Sequence, residues 1–144
     1  MRLTTRTNLA MRTLMFCAVN QGRIVRRQEV AAVCNASENH LAQVIHLLAQ
    51  KKFLRTIRGR AGGLMLGRAP ANITVGEVFR AFEAPLPFAE CFAGDANQCP
   101  LFAACRLKCL LSDALAAFYA KLDEVTVVDL VEENCDLQFI LKVA

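Results

Sequence analysis

The stretch SENHLAQVIHLLAQKKFLRTIRGRAGGLML, residues 37–66, decides the fold. Ser37 stands where a hydroxyl can cap a helix, and the apolar residues after it recur at helical spacing. On a wheel of about 100° per residue, Leu41, Val44, Ile45 and Leu48 gather on one side. Asn39, Gln43, His46 and Gln50 fall together on the other. Phe53 to Ile57 and Leu64 to Leu66 then read as two strands. Between them lies Arg58-Gly59-Arg60-Ala61-Gly62-Gly63, whose glycines permit a tight turn and whose arginines occupy its tip.

Upstream, residues 27–34 form a second short helix, and Asn35-Ala36-Ser37 turns the chain between the two, which makes a helix-turn-helix. Residues 5–20 predict a further helix, with Leu9, Leu14 and Ala18 on one side and Gln21-Gly22 closing it. Thr74 can cap another, reaching about Phe82. The order helix, helix-turn-helix, hairpin spells a winged helix over residues 1–84. The fold class is mainly α with a small β-hairpin wing.

Pro85 and Pro87 end that unit, and residues 85–106 form a cysteine-rich loop. A long helix is expected from about Phe102 to Val125. Its Leu107, Leu111, Leu115, Phe118, Leu122 and Val125 make a heptad-like seam, so 102–126 reads as a dimerisation helix. The tail, 127–144, alternates weakly and carries no assignable element.

Charge divides with these units. Residues 1–70 hold 12 basic residues against Glu29 and Glu38, whereas residues 71–144 hold 5 basic against 11 acidic. A basic half joined to an acidic half points to a polyanion-binding module fused to something else. Hydrophobic residues are 55% and mean hydropathy is +0.33. A domain this small cannot hide that much apolar area alone, so a subunit interface is expected. No run approaches the ~20 apolar residues of a membrane span, nor does the N-terminus read as a signal peptide. The expectation is a cytoplasmic protein with no membrane partner.

Asn and Gln amides can bond an adenine edge bidentately, and a helix fits the major groove, so Asn39 and Gln43 are candidate base readers. Ser37 and His40 lie where phosphates or the first bases would meet the helix. Arg58 and Arg60 could enter a minor groove or clamp phosphates, with Lys51, Lys52 and Arg55 extending the track. A merely solvated amide face is the plainer alternative, but a basic hairpin beside it favours DNA. For Arg23 and Arg68, solubility is the better explanation. No HExxH helix, nucleophile with a visible base or cofactor loop is present, so an enzyme is not expected.

The seven cysteines are unevenly placed: Cys17, Cys34 and Cys135 are scattered, while Cys91, Cys99, Cys105 and Cys109 lie within 19 residues. The Cys91-x7-Cys99-x5-Cys105 spacing lacks the CxxC pairs of zinc ribbons. It suits a larger inorganic core whose irons each take a thiolate from a different direction. Soft thiolates select either iron–sulfur clusters or zinc.

Arg2-Leu3-Thr4, Asn39-His40, Arg58-Gly59-x-x-Gly62-Gly63, Ile73-Thr74-Val75-Gly76-Glu77-Val78, Cys91-Phe92, Cys99-Pro100-Leu101 and Cys105-Arg106-Leu107-Lys108, taken in order, carry a resemblance. Over residues 1 to about 133 the chain resembles the NsrR-type nitric-oxide-sensing iron–sulfur repressors, winged-helix proteins of the group that also holds IscR. IscR is less similar, because it has a His where this chain has Lys108. The resemblance implies a homodimer crossing through the long helix, and a cluster on Cys91, Cys99 and Cys105, [4Fe-4S] favoured over [2Fe-2S]. It implies repression at a palindromic promoter with the cluster intact, and release when nitric oxide attacks it, which would derepress nitric oxide detoxification and denitrification genes.

Members often supply a carboxylate as fourth ligand from near the eighth residue of the partner's first helix. The match here is Asn8 of the partner subunit, a poor ligand for iron already held by thiolates. Cys109, Asp95, Glu90 or solvent could take that place instead. Two other functions use the same residues: an IscR-like sensor of iron–sulfur or redox status, and a non-regulatory redox or metal-binding protein.

Overall fold

The computed structural model describes residues 3–142. In chain order the elements are α1 (Thr5–Val19), α2 (Arg27–Val33), α3 (Glu38–Gln50), β1 (Leu54–Ile57), β2 (Gly63–Leu66), α4 (Val75–Glu83), α5 (Arg106–Asp123), α6 (Val127–Val131) and α7 (Cys135–Leu141). The strands form an antiparallel hairpin with Leu54 opposite Leu66 and Ile57 opposite Gly63. The winged helix-turn-helix is therefore present. The starts of α3 and α4 are capped as the sequence predicts: Ser37 Oγ accepts from the His40 N–H at 3.3 Å, and the Thr74 hydroxyl accepts from the Glu77 N–H at 3.1 Å.

One core holds the unit together. Leu14 and Phe16 of α1, Leu41 and Leu48 of α3, Leu54 of β1 and Val78 of α4 are almost fully buried. Such side chains contribute roughly 1.5–3 kcal/mol each by leaving water. The wing is tied in by Val25, which exchanges backbone hydrogen bonds with Leu64 at 2.9 and 2.7 Å. Gly63 allows that approach, since a Cβ there would stand 2.4 Å from the Val25 carbonyl oxygen.

Two sequence expectations change downstream. The long helix begins at Arg106, not Phe102: residues 102–104 form a separate 3-10 turn, and Cys105 is extended (φ −82°, ψ 106°). Cys105 therefore stands just before the helix that carries Cys109, and the two do not lie one turn apart on a common helix. The tail is also ordered. The Thr126 hydroxyl caps α6 and Asn134 caps α7. Val127 and Val131 bury themselves in the core, and the Asn20 amide at the end of α1 donates to the Leu141 carbonyl at 2.8 Å. Backbone hydrogen bonds from Val75 N to Val125 O (2.8 Å) and from Val127 N to Ile73 O (2.9 Å) stitch this return to the start of α4. The loop and α5 are thus an excursion with both ends fixed on the winged helix.

Candidate nucleic-acid interface and cysteine loop

The amide face stands as its periodicity predicts. Asn39, Gln43, His46 and Gln50 are exposed on α3, and Ser37 and His40 lie at its start. Two partners were not readable in sequence. Arg6 on α1 donates to Gln43 Oε1 at 3.0 Å, and Arg27 on α2 pairs with Glu38 at 3.1 Å, bracing the helix-turn-helix from outside. Such exposed bonds are individually weak and fix direction more than they stabilise.

At the wing tip Gly59 has φ +105°, the left-handed conformation glycine tolerates, and Arg58 and Arg60 flank it, both exposed. Neither pairs with an acidic side chain among the described residues. Lys51, Lys52 and Arg55 are exposed along the same approach. Arg23 and Arg68 differ from these. Arg23 pairs with Glu29 at 3.0 Å; Arg68 pairs with Glu77 at 3.2 Å and lies over the Phe53 ring at 5.0 Å. They are engaged within the fold.

In the loop, Cys91 lies on a 3-10 turn (Glu90–Phe92), Cys99 follows a turn in which its own N–H donates to Asn97 Oδ1 (3.1 Å), and Cys105 precedes α5. All three are free thiols, half-buried. Glu90 accepts from the Gln98 N–H at 3.3 Å, while Asp95, Cys109 and, on α1, Asn8 are exposed. Among the described residues, no three His, Cys, Asp or Glu side chains converge where one metal ion could sit. A cluster makes a different demand, because each iron takes its own thiolate and the ligands need not meet at a point. Three soft donors on separate stretches of one loop fit such a group by their chemistry.

Cys17 and Cys34 lie buried in the core. Burial pushes the Cys17 thiol up to about 12, and burial likewise raises Cys34, so both stay protonated. Beneath the loop a cavity of about 490 Å³ opens between Phe88 and Phe92 of the loop and Leu115 and Phe118 of α5. Thr4 and Glu83 reach its edge. Burial works to raise the Glu83 carboxyl, but hydrogen bonds from the Thr7 hydroxyl and from Thr4's N–H and hydroxyl hold it below its ordinary value. One turn before Glu83 on α4, Arg80 grips Asp123 with two 2.6 Å bonds and lies over the Tyr119 ring at 4.6 Å, clamping α4 to α5.

Among the described residues, no helix is long and apolar enough to cross a membrane. Comparison with known proteins agrees with the fold and narrows it. The chain is 39% identical over 143 residues to the HTH-type transcriptional regulator NsrR of Geobacillus kaustophilus, covering 99% of this chain and 97% of that one. Identity is likewise 39% to the regulator of the same name from Bacillus subtilis, over 99% and 98%. Among solved structures, CymR, the global cysteine regulator of B. subtilis, superposes with a TM-score of 0.68 at 27% identity, over 91% of this chain and 96% of that one. The T. potens IscR structure shares the fold at a TM-score of 0.71 and 22% identity, over 92% and 88%. Residues 3–133 match the profile of the Rrf2 family, described as iron-dependent transcriptional regulators. With that match spanning nearly the whole chain, the protein belongs to the Rrf2 family of transcriptional regulators.

Proposed function

We propose that the protein is a homodimeric DNA-binding repressor, and that an iron–sulfur cluster on Cys91, Cys99 and Cys105 makes its promoter binding responsive to nitric oxide. The observation that carries this reading is the placement of three half-buried free thiols on one loop that is joined at both ends to the winged helix. Relatives that share 39% of its residues bear the name NsrR. When bound, the cluster supplies iron able to react with a small gas.

The chain's own residues do the rest. Asn39 and Gln43 face outward on α3 to meet base edges, Ser37 and His40 sit at its start to meet the backbone, and Arg58 and Arg60 extend from the wing. Asn8 of the partner subunit and Cys109 are the candidates for a fourth position; Cys109 is exposed in the first turns of α5. A palindromic operator suits two such units, whose α3 helices would enter successive major grooves.

The deciding experiment purifies the protein without oxygen and records its visible spectrum. It then measures affinity for a duplex selected from random DNA, before and after nitric oxide. The expected result is a coloured protein that binds with a steep salt dependence and lets go after the gas. A colourless protein whose affinity ignores the gas overturns the reading. Affinity that follows cluster loss yet ignores nitric oxide would instead mark an IscR-like sensor of iron–sulfur or redox status.

A further inference from the structure

Helix starts need acceptors for their free N–H groups, and most helices here supply their own. Glu29 accepts from the Arg26 N–H at 2.6 Å for α2, Glu77 from the Thr74 N–H at 3.1 Å for α4, and Asp129 from the Thr126 N–H at 2.7 Å for α6. The first helix supplies only half of such a box: the Thr4 hydroxyl accepts from the Thr7 N–H at 3.2 Å. No acidic residue occupies the first turn of α1, and Thr7 stands where a capping carboxylate would be. The missing carboxylate comes from Glu83, 79 positions from Thr4. Glu83 Oε1 accepts from the Thr4 N–H (2.9 Å), the Thr4 hydroxyl (2.9 Å) and the Thr7 hydroxyl. Its negative charge also sits at the positive end of the α1 dipole.

The position of that borrowed cap matters. Glu83 is the last residue of α4, with Pro85 beginning the cysteine loop two residues on. On the α1 side, Arg6 lies between the two threonines and donates to Gln43 on the exposed face of α3. We propose that Glu83 is a positioning residue that carries the state of the 85–105 loop to the recognition helix, by capping α1 through Thr4 and Thr7 so that Arg6 holds Gln43. This rests on the reading that the loop is the sensing element. Displacing the loop pulls first on Glu83, because α4 beyond it is fixed to α5 by Arg80 and Asp123. Losing that carboxylate leaves the first turn of α1 held by the Thr4 hydroxyl alone, which loosens it and with it the orientation of the α3 face.

The test compares wild type with Glu83→Ala and with Thr7→Val, which removes one donor without changing shape. Operator affinity is measured for cluster-loaded and cluster-free protein, with the visible spectrum as a check on loading. Coupling of ~10-fold or more between the two states is expected in wild type. Both variants should keep the spectrum while that ratio falls to about twofold. A cap that merely stabilises the fold would lower the melting temperature and weaken both states alike, leaving the ratio intact, and that result overturns the proposal.

Amide hydrogen exchange of the DNA-free protein reads the same relay without any cluster. Glu83→Ala should raise exchange at residues 5–8 and also at residues 39–46. Unchanged exchange on α3 overturns the relay. A wild-type ratio near one would overturn cluster control itself, with the exchange data still deciding whether Glu83 governs α3.

Discussion

Glycines separate two kinds of close approach. At Gly63 an added Cβ would meet the Val25 carbonyl oxygen at 2.4 Å, and backbone on both sides is held by the Val25–Leu64 hydrogen bonds. At Gly76 it would meet Asp123 Oδ1 at 2.0 Å, which is nearer, but that oxygen ends a side chain able to swing away, leaving the Asp123 backbone nitrogen at 3.1 Å to give by a few tenths of an ångström. The shorter distance should therefore give the smaller penalty. Gly76→Ala loses the Arg80 clamp, an exposed pair of ~1 kcal/mol or less, and recovers up to about 1 kcal/mol of helix propensity. Gly63→Ala has no such offset and should cost ~1–3 kcal/mol, the range for overpacking. Urea denaturation of the two variants checks the order, and a Gly76→Ala loss larger than that of Gly63→Ala would contradict it.

Whole elements differ in how far sequence reveals them. The return of the chain through α6 depends on Val127 and Val131, which are buried against the winged helix, although α6 has only five residues. Val127→Ala removes two buried methyl groups at roughly 0.8 kcal/mol each and leaves a void, so a loss of about 2 kcal/mol is expected. Thermal unfolding followed by circular dichroism measures it; a loss under about 0.5 kcal/mol would mean that α6 is a detachable tail. Such an element was not legible, because two valines four apart show no period, and the hydrogen bonds linking residues 73–75 to 125–127 are non-local. By contrast α3 and the wing were legible, since Ser37, the apolar stripe and the glycine-rich turn act within 30 residues. The amide face could be placed by periodicity alone. The contacts that aim it, Arg6 to Gln43 and Glu83 to Thr4, span the chain and carry no local signal. Cys105 illustrates the same limit: the seam of leucines predicts the long helix, but not that the chain stays extended at the cysteine that would open it.

At the scale of the molecule, the division of charge and the high hydropathy have separate structural carriers. Lys51, Lys52, Arg55, Arg58 and Arg60 of the first half are exposed between the end of α3 and the wing tip, whereas apolar surface of the second half lies open on α5. None of the 18 residues of α5 is buried, and Leu107 and Leu110 are 59% and 64% exposed. Leaving such leucines in water forgoes roughly 1 kcal/mol or more apiece, a loss that a second copy packed along α5 would recover. Because Leu110 makes no core contact, Leu110→Glu should leave the melting of the monomer fold unchanged while converting a dimer to a monomer in sedimentation. DNA binding then supplies an independent reading. A dimer neutralises phosphates at both half-sites, and the dependence of log affinity on log salt scales with that number, so the slope for a palindromic duplex should fall by about half in the variant. If Leu110→Glu sediments as a dimer with an undiminished salt slope, α5 is not the assembly face, and its exposed leucines must meet something other than a second copy of this chain.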